Sequence, residues 1–341
     1  MKKIILLIII TLSYSFFGIS ENNGNEIYLT YAINDEIPVK DNVAFIKNGD
    51  SIKLYPVIVK KGRYYCNARE INVDNISIKT NRMSSLHDLH FYGIKPVLNE
   101  YDNISEADKN HLLTYKEDIE YDYFVIDDYR DYINDIIKNK TYGTYYIMID
   151  VNELDINHSL KTSEALHIEK DNLLQIVYRS DDTYIGYLKE LFNTPFILAP
   201  KSVEGRYHQT DERVGSDCAE LAIYGLRRLG YDIPYCGPKY LYKYLKPKIN
   251  SKIYLSNKGE YYVDKNNNKI KITEEEGIWE GDIVHFGIQV SVFYQDKGIK
   301  GYLDKKDLLI QSYGITPHIT TIEDSGFMNY NFDILNFRDL H

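Results

Sequence analysis

Cysteine is scarce in this chain: its 341 residues include three, Cys66, Cys218 and Cys236. No Cys or His spacing resembles a zinc site, and none of the nine histidines lies in an H-x-x-x-H arrangement, so no metal or other cofactor is expected. Tryptophan occurs once against 33 tyrosines, a compositional bias that identifies no ligand. Basic residues are outnumbered 40 to 50; the net charge of −10 provides no counter-ion field for a phosphate backbone and argues against nucleic acid as a partner. Beyond the first twenty residues no apolar run is long enough to cross a bilayer, so no integral membrane domain is expected there. No internal repeat is visible.

With 44% hydrophobic and 26% charged residues, the chain can bury a sizeable core and divides into two or three domains. It opens with Met1-Lys2-Lys3, an unbroken apolar run from Ile4 to Ile10, and small residues at Gly18 and Ser20. This pattern over residues 1–20 describes a secretory signal peptide and export to the periplasm, envelope or exterior. The same stretch also reads as a retained anchor, a little short of the ~20 residues that span a bilayer. In an exported chain an odd cysteine count leaves at least one thiol unpaired. A Cys66–Cys236 bridge and three free thiols are both open.

Residues 21–180 read as a β-rich or mixed region. Val43 to Ile46 and Ile52 to Leu54 flank the turn Asn48-Gly49-Asp50, and Val57 to Val59 and Tyr64 to Cys66 flank Lys61-Gly62. Tyr129, Tyr132, Ile133, Ile136 and Ile137 form a helical stripe, a shorter helix is expected after Ser105, and Tyr145 to Val151 and Leu173 to Tyr178 read as buried strands. A domain boundary is expected near Ser180, with residues 181–341 forming the next unit, opened by an amphipathic helix at Tyr184, Tyr187, Leu188 and Leu191.

Cys218 opens a helix. Leu221, Ala222, Gly225, Leu226 and Leu229 continue its apolar stripe, Gly230 stops it, Asp217 serves as N-cap and Glu220 completes a capping box. A thiol in the first turn feels about half a positive charge from the helix dipole, which favours thiolate and prepares a nucleophile. A buried structural cysteine is the alternative.

Around this helix the chain resembles the NlpC-type cell-wall peptidases. The likeness runs from Leu191-Phe192-Asn193-Thr194-Pro195-Phe196 through Gly215-Ser216-Asp217-Cys218, Tyr224, Arg227, Gly230 and Ile233-Pro234 to Trp279-Glu280-Gly281-Asp282-Ile283-Val284, in the family's order. It implies an α+β fold: a papain-like C-terminal domain, with the cysteine-bearing helix packed on an antiparallel sheet, preceded by the β-rich N-terminal region. By the same likeness Cys218 would attack a peptide or amide bond of peptidoglycan, and Asp217, with Glu220 beside it, would meet the substrate. Residues Pro238 to Glu276 form a longer connection than the family has, with a helix expected near Lys239 to Leu245 and a hairpin near Lys258-Gly259.

The family's general base is a histidine at the start of the second sheet strand, where this chain has Gln289. An amide cannot exchange a proton near neutral pH. His285 is the nearest substitute; it shares a face with Gln289 if a three-residue turn joins the two strands and lies on the opposite face if the turn has two residues. Gln311 matches the position that orients the base, and His208 and His318 are further candidates. Three functions therefore stand: a secreted cysteine hydrolase with the constellation Cys218, His285 and Gln311, a catalytically inactive envelope-binding protein that keeps the fold without the base, or an amide-forming or acyl-transfer enzyme on the same scaffold.

Overall fold

The computed structural model describes residues 26–83, 89–96, 120–150, 160–161, 173–200, 202–203, 207–249 and 251–338. The expected signal peptide over residues 1–20 and the helix expected after Ser105 lie outside them. The chain is mixed α/β, built mainly of sheets with few helices.

In the first unit, Glu26–Ile33 pairs antiparallel with Ile52–Lys60 along its whole length, from Glu26 opposite Val59 to Ile33 opposite Ile52. Ile52–Lys60 continues into Arg63–Cys66 through Lys61 and Gly62, both at positive φ, the two-residue hairpin turn whose twist suits the flanking strands. Val43–Lys47 is a strand as expected, but it does not form a hairpin with Ile52–Lys60. It runs parallel to Leu173–Arg179 at the edge of a second sheet, with Ala44 opposite Ile176. Burial decides this: Ala44 and Ile46 are sealed in one core with Leu174, Ile176 and Tyr178, so Asn48-Gly49-Asp50 carries the chain from one sheet to the other.

That second sheet runs Leu160–Lys161, Glu120–Val125, His90–Pro96, Gly143–Asp150, Leu173–Arg179, Val43–Lys47. Helix α1, Tyr129–Lys138, has the expected stripe, buries Ile133 and Ile136 in the same core, and is capped by Asp128, whose carboxylate accepts the Arg130 N–H.

The second unit begins with α2, Tyr184–Lys189, and α3, Cys218–Arg228. Its sheet contains β1 (Ile283–His285), β2 (Val290–Gln295), β3 (Leu308–Gln311), β4 (His318–Thr321) and β5 (Asp333–Asn336), in the antiparallel order Lys246–Pro247, β5, β1, β2, β3, β4. Period-2 alternation gives the sheet two apolar faces. Ile283, Val290, Val292, Ile310 and Leu335 pack with Leu188 of α2 and Leu221, Ala222 and Leu226 of α3. Val284, Phe286, Phe293, Leu309, Phe332 and Ile334 form the core on the other side. Each such fully buried aliphatic side chain contributes about 1.5–3 kcal/mol, which holds α3 on the sheet. The connection after α3 contains a helix where one was expected, of 3₁₀ type and over Pro238–Lys243, and then the expected hairpin, Tyr254–Leu255 with Tyr262–Val263.

The two units meet at Glu190. Its fully buried carboxylate accepts from Arg179 at the end of a first-unit strand (3.1 Å), from Arg228 (3.0 and 3.1 Å) and from the Tyr224 hydroxyl of α3. Phe45 lies against the guanidinium groups of both Arg213 and Arg228, 5.1 and 4.8 Å from the ring centre.

Candidate functional site

Asp217 caps α3 as expected: its Oδ1 accepts the Glu220 N–H at 2.9 Å and its Oδ2 the Ala199 N–H at 3.0 Å. Cys218 therefore stands in the first turn, beside the stretch Pro195 to Ala199 that runs along Ser216, where Ile197 N–H donates to the Ser216 carbonyl. The Ser312 hydroxyl donates to that same carbonyl at 3.2 Å, which brings the end of β3 to this point as well. Ser216 itself is fully buried, and its hydroxyl has no partner among the described residues.

The sulfur is not the poised thiolate that the dipole argument predicts. Cys218 is 8% exposed and belongs to the aliphatic core shared by α3 and the sheet. Burial, with the neighbouring Asp217 carboxylate, pushes its thiol from 9.0 up to about 12, although N–H groups of Val290, Ala219 and Cys218 itself point at the sulfur. The dipole and these donors favour the anion, but desolvation outweighs them. All three cysteines are free, which removes the Cys66–Cys236 bridge; Cys66 is buried in the first unit.

No imidazole hydrogen-bonds Cys218 among the described residues. The turn between β1 and β2 has two residues, Gly287 at φ +92 and Ile288, closed by Phe286 N–H to Gln289 carbonyl at 2.9 Å, and His285 sits opposite Val290. His285 and Gln289 therefore occupy opposite faces of the sheet. His285 is fully engaged elsewhere: Nε2 donates to the Pro238 carbonyl (2.9 Å), while Nδ1 accepts the Gly287 N–H (3.1 Å) and lies 3.2 Å from the Tyr242 hydroxyl, which donates to Asp333. These bonds fix a neutral imidazole whose task is to tie the 3₁₀ turn to the β1–β2 turn.

Gln289, the residue before Val290, is buried and donates to the Val290 carbonyl at 3.0 Å. Gln311 accepts from the Ser291 hydroxyl (3.1 Å) and donates to the Ser325 carbonyl (3.3 Å), so both ends of its amide are occupied on the sheet face opposite α3. The structure thus places Asp217, Cys218 and the Val290 backbone together; His285, opposite Val290, shares the α3 face but is bonded to Pro238 and Gly287, and the Gln289 and Gln311 side chains lie on the other face. His318 starts β4, where its Nδ1 meets the Thr316 carbonyl at 2.8 Å.

His208 comes nearer to the start of α3. It stacks on Tyr235 with ring centres 4.1 Å apart, and its Nδ1 accepts the Thr210 N–H and lies 3.8 Å from Glu220. The Glu220 carboxylate accepts from the Thr210 hydroxyl at 2.7 Å. Tyr235 and Arg227 both donate to Asp211. Thr210, Asp211 and Tyr235 carry no motif in the sequence; only the tertiary fold reveals them as neighbours of α3. Among the described residues no group of His, Cys, Asp and Glu is arranged to hold a metal ion.

Burial lowers the pKa of both His208 and His285. In the unfolded chain each titrates near 6.5, so the neutral, buried forms stabilise the fold fully above that pH, and this contribution is lost as the pH falls below it. Cys218 acts at the other end: above about pH 9 only the unfolded chain ionises its thiol, and stability falls as pH rises. Thermal unfolding followed across pH is expected to show highest stability near pH 7 to 8 and a decline between pH 6.5 and 5. A melting temperature constant from pH 7 to pH 5 would contradict the assignment of neutral buried histidines.

No family model, curated protein or solved structure matches this chain.

Proposed function

We propose that this protein is a catalytically silent member of the NlpC-like, papain-fold group, acting at the cell envelope as a binding protein for cell-wall peptide. The observation that carries this reading is the state of Cys218: a protonated sulfur in an aliphatic core, beside a carboxylate, with no imidazole bonded to it among the described residues. Cysteine hydrolysis needs a thiolate and a group that returns the proton to the leaving amine. Here the base position holds an amide, Gln289, already bonded to the backbone. His285 holds two backbone groups and has no lone pair left for the thiol proton.

The likeness in sequence order, and the capped helix opened by a cysteine and packed on an antiparallel sheet, support the fold part of this proposal. Incubation of the full-length protein with purified peptidoglycan tests the rest. The wild type and Cys218→Ala are expected to sediment with the polymer equally and to release no soluble peptide. Release of muropeptide fragments by the wild type and not by Cys218→Ala would establish the hydrolase instead. Absence of both binding and cleavage would reject cell-wall peptide as the ligand.

A further inference from the structure

From Ile233 to Gly259 the chain has six lysines, five tyrosines and no aspartate or glutamate, although the whole protein carries a net charge of −10. The 3₁₀ turn at Pro238–Lys243 lies within this stretch, and His285 fastens it to the β1–β2 turn through the Pro238 carbonyl. Lys239 and Lys243 are exposed and have no carboxylate partner among the described residues; Lys243 rests 4.7 Å above the ring of Tyr240. Tyr240 is 51% exposed, Tyr242 is 40% exposed, and Ile288, at the tip of the adjoining turn, is 72% exposed, the most exposed large apolar side chain among the described residues.

The loops that converge beside this turn are uncharged. Pro195 to Pro200, Phe286 to Gln289 and Ser312 to Pro317 include no Asp, Glu, Lys or Arg in a chain that is 26% charged. The first and last of these meet at the Ser216 carbonyl, and the middle one leads directly to Val290 at the cysteine. One end of the second unit therefore presents an apolar tip, amphipathic tyrosine rings and unpaired lysines side by side.

We propose that this end docks on an anionic lipid bilayer surface, with Ile288 entering the acyl boundary, Tyr240 and Tyr242 at headgroup level, and Lys239 and Lys243 against lipid phosphates. Tyrosine favours that depth because its ring is apolar and its hydroxyl is wet, and each lysine near an anionic surface adds attraction that salt screens. A soluble polyanion would use the lysines alone and would have no use for a projecting isoleucine or a band of uncharged loops. The inference stands apart from the state of Cys218.

Co-sedimentation of the full chain with vesicles tests it, comparing phosphatidylcholine alone with phosphatidylcholine containing phosphatidylglycerol. All variants carry the same leader, so its own affinity for lipid cancels in the comparison. Binding to the anionic vesicles is expected to fall about tenfold or more in Lys239→Glu/Lys243→Glu and about tenfold in Ile288→Ser, and to weaken as salt rises from about 0.1 to about 0.5 M. All three positions are exposed, so unchanged melting temperatures verify the fold of each variant. Binding of both variants equal to wild type would overturn the proposal. So would binding to soluble heparin that survives Ile288→Ser, with no affinity for the anionic vesicles.

Discussion

Replacement of Glu190 by alanine is expected to destabilise the protein by about 3–5 kcal/mol, the usual cost of removing one partner from a buried ionic group. The carboxylate is fully buried, and it is the shared acceptor for Arg179, Arg228 and Tyr224. Without it Arg228 loses its carboxylate partner, and Arg179, 13% exposed, keeps only Asp182, so two guanidinium groups face each other across the junction of the units with one counter-charge in place of two. For a chain of this size the melting temperature should drop by about 4–7 °C, in a single transition, because the carboxylate joins both units. Two separated transitions, or a change under about 2 °C, would show that the units fold independently and that the network is incidental.

The second large effect concerns alkylation of Cys218. A thiol with a pKa near 12 has on the order of a thousandth of the thiolate present in an ordinary cysteine at neutral pH, before any steric shielding. In a Cys66→Ser/Cys236→Ser background, iodoacetamide at pH 7 is expected to modify Cys218 about a thousandfold more slowly than free cysteine, with the rate recovering on unfolding. Modification as fast as free cysteine would place the sulfur in an open, ionisable site and restore the hydrolase reading.

Helices with complete local signals were readable from the residues alone. Asp217, the stripe from Cys218 to Leu229 and the stop at Gly230 define α3 to within a residue, because caps and 3.6-residue periodicity act within one segment. The same holds for α1. Strand existence was also readable, including the hairpin at Lys61-Gly62, where a positive-φ turn fixes the partner. Partnership of Val43–Lys47 was not, since its neighbour Leu173–Arg179 lies more than a hundred residues away and is chosen by core packing.

The candidate site divides in the same way. The position of Cys218 at a helix start is local and was visible, whereas its ionisation depends on what the sheet presses against it. The β1–β2 turn illustrates how little separates two readings: one residue more would have placed His285 and Gln289 on a common face. Gly287 at φ +92 and Ile288 make the short turn, and with it His285 is spent on Pro238 and Gly287. Lysine patterning over Ile233 to Gly259 is a sequence property too, but the neighbouring uncharged loops come together only in the fold.

Alkylation rates combine ionisation with access, so the central claim is tested most directly by titrating the thiol itself. The Cβ resonance of ¹³C-labelled Cys218, followed from pH 6 upward by NMR in the folded protein, reports protonation without any reagent reaching the sulfur. The resonance is expected to hold its thiol position beyond about pH 9, until the fold is lost. A titration centred near pH 7 or below would contradict the account and identify Cys218 as an activated nucleophile.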